Sequence, residues 1–467
     1  MRTFRYTVLM ILVVLALVAS ACATPTPPPP PPTKAPEPTK APAAPQPTQP
    51  PAPTKAPEPT KAPEPTKAPA PAPVTITFQE PWSLTSDRGK VIDALVADFM
   101  KKYPEIKVVI KDSGVNSQVF VTEVLAGNAP DVAFFGEDGV YLFAPQDALL
   151  DLGSYVEKWD KAKRDDFFKP VWAFGNYEGK QYGVPWIAHA MALVYNKGMF
   201  KEAGLDPEKP PKTWDELYTY AEKLTKGEQF GFGLVGKQSH DMAWNWYTFA
   251  WQNGAQLGKQ ADGKWQIALN SPQAVEALEF YLKLKKVAPP ESSSSGSGEI
   301  DQLFQKKRVA MYILGPWAVA GVRKAAPDID VGVAALPFKT TQATTIGAGL
   351  LTVPRTSKNK DAAWKLIDFL TEVEQQVKLV STGFAFRVPT RISATKDPWF
   401  QQNKEFIPFV EGLGYGNAPT IIPIAAKYNT AHNEVVQPEL SKAYIGQKSA
   451  KDALAEIEKQ GNLLLSK

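Results

Sequence analysis

The chain has 467 residues, with 52 basic against 48 acidic side chains, 44 prolines, 12 tryptophans, 3 histidines and a single cysteine. That length allows two to four domains, and one cysteine excludes a disulfide framework or a cysteine-rich metal centre. Residues 1–73 hold 7 of the basic and 3 of the acidic groups, so the remainder balances to zero formal charge. A body without net charge has no broad field to gather nucleic-acid phosphates.

Arg2 and Arg5 precede the apolar run Val8 to Val18. That run is too short to span a bilayer, which takes about 20 residues, but it suits the apolar region of a signal peptide. Ala19-Ser20-Ala21-Cys22 follows and resembles a bacterial lipobox. Residues 1–21 are therefore expected to be a lipoprotein signal peptide, with Cys22 as the lipidated residue. The body would then lie outside the cytoplasm, anchored by lipid to the outer face of the cell membrane, at the cell surface or in the periplasm. Residues 22–73 are expected to be a proline-rich linker, since 22 prolines fall between Pro25 and Pro73 and Lys-Ala-Pro-Glu-Pro-Thr recurs at Lys34, Lys55 and Lys61. Such density favours polyproline II, and the segment could reach up to roughly 150 Å.

Val74 to Phe78 reads as a strand. Ile92, Leu95, Val96, Phe99 and Tyr103 have helical spacing, Ile106 to Ile110 is the next strand, Ser117 to Ala126 a helix and Asp131 to Phe135 a third strand. Strand–helix–strand order predicts a parallel, helix-covered sheet, an α/β fold. Asp131 is expected to shape the entry of its strand. Thr213 to Glu216, Thr371 to Glu374 and Ser449 to Asp452 have capping-box spacing, and Pro272 suits a first helical turn. Ala363, Leu366, Ile367 and Leu370 form the buried stripe of another helix. Ser292 to Gly298 reads as a flexible surface loop, and Gly412 to Gly416 as a loop without a nucleotide fingerprint.

Seven segments then carry a resemblance. Gly179 to Pro185 (GKQYGVP), Leu193 to Lys197 (LVYNK), Phe200 to Asp206 (FKEAGLD) and Lys212 to Leu217 (KTWDEL) come first. Ala129 to Val132, Arg308 to Met311 with Gly315-Pro316-Trp317, and Gly349 to Pro354 with Ser357 to Trp364 complete the set. In this order the body resembles the extracellular solute-binding proteins of sugar-type ABC importers, the group that includes maltose-binding protein. The resemblance implies a two-lobed periplasmic-binding-protein-like fold of type II, with discontinuous lobes and a ligand cleft between them. It assigns residues 74–187 and 350–386 to an N-terminal lobe, and 188–349 and 387–467 to a C-terminal lobe. Crossovers are expected near Trp186 to Ala192, Ile346 to Leu350 and Phe386 to Pro389.

A sugar needs flat apolar faces for its C–H side and fixed polar groups for its hydroxyls, and all 12 tryptophans lie in the body. Trp214 and Trp364 sit inside helical motifs and are expected to pack in the core. By resemblance, the ligand-binding candidates are Trp82 after the first strand, Phe135, Glu137 and Asp138 after the third, and Trp186 and His189 after Pro185. Trp244, the Gly315 and Trp317 of the Gly-Pro-Trp motif, and Arg387 join them. Asp87 either accepts sugar hydroxyls or stabilises a helix end. Arg387 either donates a fork of hydrogen bonds or forms a structural ion pair. Gly315 would let the backbone approach ligand.

No catalytic residue, metal or cofactor is expected: His189, His240 and His432 are far apart without metal-ligand spacing, and no P-loop is present. The implied protein is a non-enzymatic, monomeric carrier that captures a mono- or oligosaccharide or related polyol and delivers it to the transmembrane permease of an ABC transporter. The alternatives are a receptor subunit that presents ligand to a membrane sensor, and a secreted carbohydrate-active hydrolase.

Overall fold

The computed structural model describes residues 73–80, 82–111, 116, 118–261, 264–382, 387–418 and 429–466. The signal segment, most of the linker and Cys22 lie outside the described residues. β1 (Val74–Gln79) is an alternating strand that buries Ile76 and Phe78. Ser86 caps α1 (Asp87–Lys102), its hydroxyl accepting from the Gly89 amide, and Ile92, Leu95, Val96 and Phe99 bury one face of the helix. β2 (Ile106–Lys111) and β3 (Val132–Phe135) pair parallel to β1 on either side. The Asp131 carboxylate, just before β3, accepts from the Thr77 amide at 2.9 Å and the Ser357 hydroxyl at 2.7 Å. It shapes the strand entry as expected.

β4 (Gly183–Ala190) and β5 (Ala192–Asn196) follow, separated only by Met191. β6 (Phe230–Gly233), β7 (Val309–Leu314) and β8 (Val331–Ala334) come next, then β9 (Ile346–Thr352) and β10 (Val388–Pro389). Two sheets result. One has six strands in the order β10-β4-β9-β3-β1-β2, the other four in the order β8-β5-β7-β6. The chain thus passes from the first sheet to the second at Met191, and β9 returns it, antiparallel to both β4 and β3. β4 and β9 are buried along their whole length.

Helices cover the second sheet. Thr213 caps α2 (Trp214–Leu224), accepting from the Glu216 amide at 3.2 Å. The Glu216 carboxylate reaches past Thr213 to the Lys212 amide at 2.6 Å, so the box closes one residue early. α3 (His240–Gln252) packs against α4 (Pro272–Lys283), whose Ser271 cap and first-turn Pro272 are as expected. Trp214 stacks on Phe280 at 4.6 Å, and Trp364 packs on Tyr155 and Trp159, so both belong to cores.

α5 (Trp317–Ala325) follows β7, and α6 (Lys360–Leu370) and α7 (Val373–Ser381) cover the first sheet. The expected box at Thr371 does not form. Thr371 ends α6, and its hydroxyl donates back to the Ile367 carbonyl at 2.9 Å, so it is spent on the preceding helix. Gly412 to Tyr415 is also not a loop. It belongs to α8 (Ile407–Tyr415), where a Cβ at position 412 would fall 2.7 Å from the Ala190 Cβ; glycine lets the helix approach β4. The serine-rich stretch is ordered as well: Pro290–Ser294 is a 3₁₀ turn, a helix starts at Ser297, and Ser292 and Ser295 are buried. α9 (Ala450–Ser466) closes the chain, with Ser449 accepting from the Asp452 amide at 3.0 Å.

Candidate functional site

The ends and crossings of the two sheets bring one group of side chains together. Gly136-Glu137-Asp138 follows β3, His189 is near the end of β4, Gly347 lies at the start of β9, and Trp317 follows β7 through Gly315-Pro316. His240 and Trp244 occupy the first turns of α3, and Arg387 immediately precedes β10. The Trp317 ring meets His189 edge-on at 5.3 Å, and Trp244 lies nearly parallel to His189 at 6.2 Å. The Arg387 guanidinium sits 4.8 Å from the Trp317 ring centre, a cation–π contact. A Cβ at Gly347 would fall 2.4 Å from the His189 ring and 3.3 Å from a Glu137 carboxylate oxygen. Glycine at that point lets both side chains close over β9. Asn429 donates to the Asp138 carboxylate at 3.2 Å, joining the loop after β3 to the C-terminal segment.

Desolvation dominates the electrostatics of this group. It pushes the Glu137 carboxyl up to about 7, with Asp138 adding repulsion and Arg387 opposing. It raises Asp138 too, against the Asn429 hydrogen bond. Burial lowers Arg387 to about 10, helped by the nearby Arg88 guanidinium and opposed by Glu137. His189 falls well below its ordinary value through burial, then Arg387, then His240. The group therefore offers neutral imidazole, a carboxyl that holds its proton more readily than usual, guanidinium and two indoles, a set suited to hydroxyl-rich ligands.

Of the sequence candidates, Glu137, His189, Trp244, Trp317 and Arg387 fall in this group, with Asp138 beside it. The others are placed differently. Trp186 is fully buried between Phe78 and Phe134, at 6.1 and 6.0 Å. Trp186 is the extra residue of a bulge in β4, between the pairs Ile187–Gly349 and Pro185–Leu350, and its ring turns into the core of the first sheet, whereas His189 lies nearer the strand end. Regular alternation on β3 sends Phe135 into the core against Phe120 and Phe143. Its neighbour Phe134 meets half-buried Trp82 at 5.2 Å. Asp87 is exposed in the first turn of α1 and pairs with Lys90 at 3.8 Å. Gly315 is covered by the Trp317 indole, 2.3 Å from where a Cβ would stand. Its missing side chain makes room for that ring.

Sequence reasoning missed Arg88, His240, Gly347 and His432. The three histidines, far apart along the chain, meet in space: Nδ1 of His240 is 3.2 Å from Nε2 of His432, and the His240 ring is 4.7 Å from Trp244, which faces His189. No group of three or more metal-ligating side chains occurs among the described residues.

Residues 82–377 match the family of bacterial extracellular solute-binding proteins. The chain belongs to this family. The sn-glycerol-3-phosphate-binding periplasmic protein UgpB of Escherichia coli K12 is 27% identical over 428 residues, covering 84% of this chain and 93% of its own. Among solved structures, a Thermotoga lettingae ABC transporter solute-binding protein bound with α-D-tagatose superposes with a TM-score of 0.71 at 28% identity, covering 84% of this chain and 100% of that one. The maltose-bound MalE3 of T. maritima superposes at 0.70 and 26% identity, with the same coverage. The two sheets are thus the two lobes of a periplasmic-binding-protein fold. The family is extracellular, and these neighbours are binding proteins rather than enzymes.

Proposed function

We propose that this chain is the substrate-binding lipoprotein of an ABC importer and that its ligand is a sugar or related polyol, held between the lobes. The observation that carries the reading is the cluster of His189, Trp317, Arg387 and Glu137 at the strand ends of both sheets. Trp317 offers a face for the C–H side of a ring, and the imidazole, guanidinium and carboxyl offer donors and acceptors for hydroxyls. A ligand that touches residues of both lobes stabilises their closed arrangement, because only there are all its contacts made. The tagatose and maltose complexes of the structural neighbours support the sugar class.

Cys22 would hold the protein to the membrane by lipid, and the chain, as a monomer, would hand its cargo to a permease. The lobe assignments to residues 74–187 with 350–386, and 188–349 with 387–467, belong to the same reading, as do contacts from Trp82 and Asp138. A second reading, a phosphorylated polyol, is favoured by the nearness of Arg88 to Arg387 and by the UgpB relative. Two guanidiniums suit a phosphate's oxygens.

A thermal-shift screen of the protein against sugars, polyols, sugar phosphates, amino acids and polyamines tests both. The expected result is a melting temperature raised by a neutral sugar or polyol. A shift only with phosphorylated compounds selects the second reading, and one only with amino acids or polyamines removes the sugar class.

A further inference from the structure

His240, His432 and Tyr247 form a hydrogen-bonded row that the binding role above does not by itself require. The Tyr247 hydroxyl lies 2.9 Å from Nδ1 of His432, and Nε2 of His432 lies 3.2 Å from Nδ1 of His240. His432 and Tyr247 are buried, whereas His240 is exposed and rests against the Trp244 indole. The row therefore runs from the interior of one lobe to a surface ring that touches the aromatic group around His189.

We infer that His240 is a further ligand-contacting residue, and that Tyr247 acts through His432 as a positioning residue that fixes which proton His240 presents. The inference rests on the cleft being the binding site. A neutral imidazole has one donor and one acceptor nitrogen, so a row of two imidazoles has a single direction once its end is set. Phenol is the stronger donor, so the Tyr247 hydroxyl donates its hydrogen bond to Nδ1 of His432. Nε2–H of His432 then donates to Nδ1 of His240, and His240 carries its own proton on Nε2. That atom is the ring nitrogen not used in the row, and it is left as a donor for a ligand oxygen. Partial burial of the His240 imidazole lowers its affinity for a second proton, against the pull of the neighbouring Asp241 carboxylate, and so favours the neutral ring.

The test uses the whole protein and the best sugar from the screen. His240→Ala is expected to weaken binding about three- to tenfold, the worth of one hydrogen bond. Tyr247→Phe keeps the buried ring and is expected to weaken binding by a similar factor. Long-range ¹H–¹⁵N NMR of the imidazoles supplies a readout that packing alone would not move. Wild type is expected to show His240 protonated on Nε2, and Tyr247→Phe to show a mixture of tautomers. Unchanged affinity in His240→Ala, or a His240 proton on Nδ1 in the complex, would overturn the inference while leaving the binding role intact. Absence of any sugar binding by wild type would instead overturn the reading it rests on.

Discussion

Trp317→Ala is expected to weaken sugar binding at least about tenfold, a loss of about 1.4 kcal/mol, while the melting temperature of the empty protein stays nearly unchanged. Trp317 is half-buried at the start of α5, over Gly315, rather than sealed inside a core. Its ring borders both His189 and Arg387. Truncation removes the stacking face and the surface against which Arg387 is held, so a ligand loses two contacts at once. Trp317→Phe keeps an aromatic face and should retain most of the affinity. Calorimetric titration of the three proteins checks this. Equal affinity in the alanine variant would remove Trp317 from the site, and a large fall in the melting temperature would make it a packing residue.

Acid is expected to destabilise the empty protein, with His432 a principal cause. Burial, then His240, depress His432 from 6.5 to about 3, and His189 lies well below its ordinary value. Between those limits the unfolded chain binds protons that the folded chain does not. The stability from each histidine is therefore complete above about pH 6.5 and is lost as the pH falls. At about 1.4 kcal/mol per pH unit, His432 alone costs on the order of 3 kcal/mol by pH 4. Glu137 works in the opposite direction. Its folded value near 7 exceeds the ordinary 4.5, so its contribution is present below 4.5 and is lost as the pH rises to 7. His189, His240 and His432, all lowered by burial, act together below pH 6.5 against Glu137 and the likewise raised Asp138, and below 4.5 the histidines act without further compensation from Glu137. Melting curves from pH 7 to pH 4 should show a steep fall for wild type and a shallower one for His432→Gln. Parallel slopes would show that His432 titrates normally.

Much of the fold is legible in the sequence because local signals agree with the tertiary structure. The stripe on α1, the parallel strands around it and the caps at Thr213, Ser271 and Ser449 follow from period and chemistry. Thr371 shows where this fails: the residue has two helices to serve, and burial at the end of α6 assigns it to the first. The serine-rich stretch fails for another reason. Its composition suggests a loose loop, but Gly236 brings the main chain against it, and the Gly236 amide donates to the Ser292 carbonyl at 2.9 Å.

The site is legible where a motif ends a strand, as at Trp317 and Glu137. It is illegible where backbone irregularity or face decides: a bulge in β4 sinks Trp186 into the core while His189, nearer the strand end, meets Trp317, and alternation on β3 turns Phe135 inward. The pairing of His240 with His432 depends on the return of the C-terminal segment to α3, which no local pattern encodes.

As a carrier, the protein is expected to grip a polar molecule between its lobes and release it unaltered. The most direct measurement saturates the protein with the best sugar, removes excess, denatures the complex and weighs what is recovered by mass spectrometry. The expected recovery is one intact ligand per chain for wild type and almost none for Trp317→Ala. Recovery of a hydrolysed or otherwise altered product, or of equal ligand from both proteins, would contradict it.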